Sequence, residues 1–228
     1  SGELATSWGS EAAASGRGAT AWGSETEATS NNATAWGWQS IATGNQATAW
    51  GYKSKATGYQ STAWGYHSEA TGDQSTAFGY WSYANAANSL AVAGGEVESD
   101  AENGIAIGWY ANSTIKDGIA LGNGSVTTRT AGDTNAYGKG DSTGNAWVST
   151  SVALAVGKDA DVTRQITGVA AGSKDTDAVN VAQLKKLAEK IEAAGTDTVT
   201  TVKGDGKYIS VTADPANTHD YTISLDFD

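Results

Sequence analysis

The 228-residue chain contains no cysteine and no methionine, one proline, two phenylalanines and two histidines. Without cysteine there is no disulfide framework, no thiolate metal site and no thiol nucleophile. One proline and 29 glycines, with no glycine at every third position, exclude a collagen-like chain. Charge is sparse at 17 %, and 14 Lys+Arg against 25 Asp+Glu leave a net charge of −11. That is the wrong sign for gripping a phosphate backbone. No apolar run approaches the roughly 20 residues of a membrane-spanning helix. The Ser1-Gly2 start carries no basic-then-apolar leader, so the chain reads as a soluble, acidic piece of something longer. Against these absences stand nine tryptophans and nine tyrosines, far more than disorder tolerates.

The aromatics are periodic. Trp8, Trp22, Trp36, Trp50, Trp64 and Phe78 lie 14 residues apart, in frames such as Ala49-Trp50-Gly51 and Ala63-Trp64-Gly65. Alanine follows six residues after each, from Ala14 to Ala84. The frame continues through Ala91-Val92-Ala93, Ala106-Ile107-Gly108, Ala120-Leu121-Gly122, Ala136-Tyr137-Gly138 and Ala155-Val156-Gly157, giving eleven rungs. Ala153-Leu154 competes for the last place. Such a unit is too short for a helical repeat and suits one coil of a parallel β-solenoid. At roughly 4.8 Å per rung the stack extends about 50 Å.

Alternation within Thr62-Ala63-Trp64 places Thr62 and Trp64 on one face and Ala63 on the other. Later rungs hold Leu90/Val92, Ile105/Ile107 and Ile119/Leu121 in the same columns, so Thr plus Trp reads as a volume-matched core pair. The other reading of the tryptophan column is a stacking ladder for sugar rings. The small Ala/Gly face implies another backbone close by, and a thin roll with open ends hints at self-association. A second column, past the corner glycine, runs Ser10, Ser24, Trp38, Tyr52, Tyr66, Tyr80, Trp109. Its aromatics Trp38, Tyr52, Tyr66, Tyr80 and Trp109 are either inter-rung packing or a ligand surface.

From residue 160 the pattern changes. Residues 178–194 are free of Gly and Pro and rich in helix formers, with Asp175 or Thr176 as the expected cap and Gly195 as the stop. Val181, Leu184, Ala188 and Ile191 follow 3-4-3 spacing, the seam of a coiled coil. Two heptads do not stand alone in water, so the seam needs partners; the other reading is a single amphipathic helix lying on its own domain. The tail predicts strands over 199–202, 208–212 and 221–227, turning at Gly204-Asp205-Gly206 and Asp214-Pro215-Ala216-Asn217.

The run Arg164-Gln165-Ile166 … Ala170-Ala171-Gly172 … Asp175-Thr176-Asp177-Ala178-Val179-Asn180-Val181-Ala182-Gln183-Leu184 resembles the neck of trimeric autotransporter adhesins, the YadA-like proteins of Gram-negative bacteria. The upstream Ala-hydrophobic-Gly repeats are similar to the head of that family. The resemblance implies an all-β, left-handed parallel β-roll head over residues 1–157, forming a homotrimer. A neck over 158–181, a short trimeric coiled coil over 182–195 and a small β-prism-like stalk connector over 196–228 would follow. It further implies a bacterial cell-surface adhesin, anchored in the outer membrane by a C-terminal barrel that this sequence lacks. Thr-Trp in the first five rungs departs from the family's aliphatic pair.

Chemistry is sparse. His67 and His219 lie on different segments, and His67 occupies a rung position that is Lys53 elsewhere. The acids of residues 1–90 recur at no fixed rung position, so no carboxylate pair for glycoside cleavage is visible. Gly138-Lys139-Gly140 and Gly204-Asp205-Gly206 lack the strand-to-helix context of phosphate loops. No enzyme, metal, cofactor or nucleic-acid partner is expected. The leading expectation is an adhesin head presenting a repetitive surface to host matrix, cells or glycans. A rigid spacer for another adhesive domain, or a binder of an ordered lattice through Thr20, Thr34, Thr48, Thr62 and Thr76, are the alternatives.

Overall fold

A computed structural model describes residues 2–132, 140–197, 209–214 and 217–225. The chain divides into two units, residues 1–167 and 168–228.

The first unit is a parallel β-solenoid. Each coil gives a three-residue strand, such as Thr48–Trp50 or Thr62–Trp64, to a ten-stranded sheet. Most coils add a two-residue strand, such as Lys55–Ala56 or Glu69–Ala70, to an eight-stranded second sheet. Like pairs with like: Thr48 with Thr62, Ala49 with Ala63, Trp50 with Trp64. The ladder continues around the corners, where the Gly65 amide donates to the Trp50 carbonyl at 2.8 Å and the His67 amide to that of Tyr52 at 2.9 Å. Near-identical coils therefore satisfy most of their strand and corner backbone groups on the rung above or below.

The inside of the coil is the reverse of the expected one. Ala21, Ala35, Ala49, Ala63 and Ala77 are buried, whereas Trp22, Trp36, Trp50 and Trp64 remain 39–48 % exposed. The partnering threonines are half-buried. Period-two alternation distinguishes two faces but does not say which one points inward. Coil size decides it: strands of three and two residues hold the sheets so close that the largest wholly buried side chain is Val97. The backbone that approaches the small-residue face is thus the chain's own second sheet. Buried serines complete the interior by returning their hydroxyls to the turn, as Ser61 Oγ does to the Gly58 carbonyl at 2.8 Å and Ser75 Oγ to that of Gly72 at 2.6 Å.

The corner glycines tolerate no side chain. Gly51 has φ +136°, and a Cβ there would stand 2.3 Å from the Gly65 carbonyl oxygen. The rung expected at Ala136-Tyr137-Gly138 lies outside the described residues. Leu154-Ala155 pairs directly with Ile119-Ala120, so Ala155, not Ala153, carries the last frame. The end of the roll is tied by Arg164, whose guanidinium donates to the carbonyls of Val156 and Asn123 and to Ser125 Oγ.

In the second unit a helix runs Val181–Asp197, through rather than up to Gly195. Its cap is Asn180 instead of Asp175 or Thr176. The Gln183 amide donates to Asn180 Oδ1 at 3.1 Å and the Asn180 amide to Gln183 Oε1 at 3.2 Å, a reciprocal capping box. Gln183 Nε2 also donates to the Gly172 carbonyl, and Asn180 Nδ2 to that of Val169, tying the preceding loop to the helix start. Asp177 instead closes a local turn, accepting from the Ser173 and Lys174 amides at 2.9 and 3.0 Å. Those amides, Ser173 first, hold its carboxyl below the ordinary carboxylate range. The turn is therefore held above that range and released as pH falls through the lowered folded value. An NMR titration should show the Ser173 and Lys174 amides shifting together below pH ~4.

The tail contains an antiparallel hairpin, Ile209–Asp214 with Asn217–Leu225 and a bulge at Ala213/Asp214. Its second strand begins at Asn217, earlier than position 221, and Pro215 and Ala216 of the expected turn lie outside the described residues. The strand expected over 199–202 and the turn at 204–206 lie outside the described residues.

Candidate functional site

Strict 14-residue register places each aromatic over its counterpart one rung away, and two ladders result. On the outer face of the first sheet the Trp22–Trp36, Trp36–Trp50 and Trp50–Trp64 ring centroids are 5.0, 5.0 and 4.9 Å apart, all within 9° of parallel. Trp8 extends this ladder at 5.7 Å, and Phe78 ends it with a 58° tilt. Beyond Phe78 the column passes to Val92, Ile107 and Leu121. The result is one continuous apolar stripe, exposed from Trp8 to Phe78 in the single chain.

All five residues singled out from the second column fall into the other ladder. Trp38–Tyr52, Tyr52–Tyr66, Tyr66–Tyr80 and Tyr80–Trp109 centroids lie 4.8, 4.9, 5.2 and 5.8 Å apart. These rings pack between rungs and also face outward: Trp38, Tyr66, Tyr80 and Trp109 are exposed and Tyr52 is half-buried. Packing and display are therefore not alternatives here. The neighbouring column, not singled out as a surface in the sequence, adds Lys53, His67, Trp81 and Tyr110 beside it. The Lys53 ammonium stands 5.7 and 5.4 Å from the Trp38 and Tyr52 rings, a cation on an aromatic face. His67 sits among Tyr52, Tyr66 and Trp81, in an aromatic setting and not in a ligand cluster.

In the helix, the expected seam residues Val181, Leu184, Ala188 and Ile191 are all exposed in the single chain, as is Leu187 beside them. Among the described residues no three His, Asp or Glu side chains group to hold a metal, and no helix is long and apolar enough to cross a membrane.

Comparison with known proteins gives these features a context. A YadA head-domain repeat model matches residues 14–40, 28–52, 42–68, 70–92 and 99–125. A model of the coiled stalk of trimeric autotransporter adhesins matches residues 165–207. The trimeric autotransporter adhesin AtaA of Acinetobacter sp. (strain Tol 5) is 48 % identical over 60 residues, covering 26 % of this chain and 2 % of AtaA. The autotransporter adhesin BadA of Bartonella henselae is 56 % identical over 50 residues, covering 22 % of this chain and 2 % of BadA. The chain thus spans a small fraction of these relatives' length. Among solved structures, the collagen-binding domain of the Yersinia adhesin YadA is 30 % identical, with 78 % of this chain and 87 % of that one covered and a TM-score of 0.46. A C-terminal YadA-like domain from Burkholderia pseudomallei is 27 % identical, with 54 % and 58 % covered and a TM-score of 0.38. The head-repeat and stalk matches together take in well over half of the 228 residues, and the chain belongs to the YadA-like trimeric autotransporter adhesins.

Proposed function

We propose that three copies of this chain assemble into a non-enzymatic adhesin head that attaches a bacterium to host matrix, cells or other surfaces. The observation that carries this reading is the unpartnered aromatic stripe from Trp8 to Phe78, too long and apolar to face water in a stable monomer. The exposed seam of Val181, Leu184, Ala188 and Ile191 makes the same demand on the helix. Assembly through the first-sheet face and the seam leaves the second aromatic ladder for display. Because every rung repeats the same surface in each chain, weak contacts sum to firm attachment. As a member of an outer-membrane-anchored family, the head would be displayed at the cell surface.

A relative of the head is a collagen-binding domain, which makes collagen the first ligand to try. The assembled protein should bind an immobilised matrix protein or cell surface saturably. Replacing Tyr52, Tyr66 and Tyr80 together by serine should weaken that binding at least tenfold, since aromatic anchors contribute about 1–2 kcal/mol each. Saturable binding unchanged by the triple replacement would remove the ladder from the adhesive surface. No saturable binding by a correctly assembled head would favour the spacer.

A further inference from the structure

The aromatic corner is interrupted once. In the rungs built on Trp50, Trp64 and Phe78, the residues after the corner glycine project paired side chains: Tyr52/Lys53, Tyr66/His67 and Tyr80/Trp81. The next corner is one residue shorter, because Phe78 pairs with Val92 but Tyr83 pairs with Glu96. Gly94 stands where the aromatic is due, and no side chain fits there. A Cβ on Gly94 would lie 2.2 Å from Trp109 Cε3, since Trp109 leans across the gap from the rung beyond to meet Tyr80.

The omission opens a cleft of about 530 Å³ between Tyr80, Trp81 and Tyr83 on one side and Trp109 and Tyr110 on the other. Within each side the rings stand steeply to one another, 89° between Trp81 and Tyr83 and 68° between Trp109 and Tyr110, so the cleft offers both ring faces and ring edges. Glu96 and Asn112 also line it, and among the described residues Glu96 is the only charged one to do so. Asn112 Nδ2 donates to Glu98 at 3.0 Å, while its Oδ1 is a buried acceptor with no donor. Glu69 precedes Tyr83 and Glu96 in the same column of the second sheet. Burial first, then the Glu69 and Glu96 carboxylates, push the Tyr83 hydroxyl above its ordinary pKa, as a negative local field requires. An aromatic box with an acidic member and no basic one is complementary to an organic cation. The same corner already holds one further along the roll, where Lys53 lies over Trp38 and Tyr52.

We propose that this cleft receives the guanidinium of an arginine side chain presented by a protein partner, stacked on the Trp81, Trp109 and Tyr110 rings and paired with Glu96. Arginine suits it better than lysine because the guanidinium is planar, weakly hydrated and able to pair with a carboxylate through two donors. The partner's being a protein rests on the adhesive reading above, but the site can be tested without any adhesion ligand, so either can fail alone.

The test is calorimetric titration of the assembled chain with N-acetylarginine amide and with N-acetylcitrulline amide, its neutral near-isostere. The arginine probe should bind saturably and the citrulline probe at least tenfold more weakly. Glu96→Gln should cost the arginine probe about tenfold, the worth of one charge-assisted pair. Tyr110→Ala should also weaken it, while Glu27→Gln, in the same column many rungs away, should leave it unchanged. Solution mass and circular dichroism like the parent's would show each variant intact. Equal binding of the two probes, indifference to Glu96→Gln, or no saturable binding would each overturn the proposal. Preference for methyl glucoside over both probes would overturn it too, by making the cleft a sugar site.

Discussion

Replacing Trp22, Trp36 and Trp50 together by serine should convert a three-chain assembly into single chains. These rings lie outside the coil, stacked 5.0 Å apart, so removing them leaves the alanine interior untouched. Covering the exposed two-fifths of each indole is worth about 2 kcal/mol. Three positions altered in each of three chains therefore remove about as much as two successive association steps of micromolar strength, roughly 8 kcal/mol each. Light scattering would show the mass falling towards that of one chain, with aggregation or loss of strand signal if the bare roll is too thin to stand alone. An unchanged mass would mean that the ladder is not the assembly face.

Ala63→Leu should be the most damaging single change in the roll. Ala63 is wholly buried between Ala49 and Ala77 in adjacent rungs, with the second sheet across a gap that elsewhere admits nothing larger than Val97. Overpacking ordinarily costs 1–3 kcal/mol, and a narrow coil cannot relax without breaking its ladder, so a loss of about 3 kcal/mol or more is expected. Hydrogen exchange should show protection lost in the rungs around residue 63. Thr62→Val, a half-buried neighbour on the opposite face, should cost under about 1 kcal/mol. Were the Thr/Trp face the interior, Ala63→Leu would be the tolerated change.

The contrast between these two predictions marks where sequence reading stopped. The 14-residue spacing was enough to infer a parallel solenoid, because repeats in register can satisfy their backbone only on one another. It also separated Thr and Trp from Ala. Large aromatic volume then suggested a core, but a coil this short has room only for alanine and serine, and that limit belongs to the closed coil and not to any residue pair. The helix start is legible in principle, since Asn180-Val181-Ala182-Gln183 has capping-box spacing, but Asp175 and Thr176 are equally good cap residues by type and only the fold separates them. The five aromatics of the second ladder were visible as a column. The cleft was not, because it arises where that column skips from Tyr80 to Trp109 and one residue is missing from a corner. Lys53 rests on two rings, a contact that its rung position in the sequence does not show.

The most direct measurement is the solution mass of the purified chain by light scattering, alongside circular dichroism to confirm strand content. Assembly through the tryptophan face and the helix seam predicts a value near three times 23.2 kDa. A folded sample at 23.2 kDa, with the Trp8-to-Phe78 stripe in water, would contradict it.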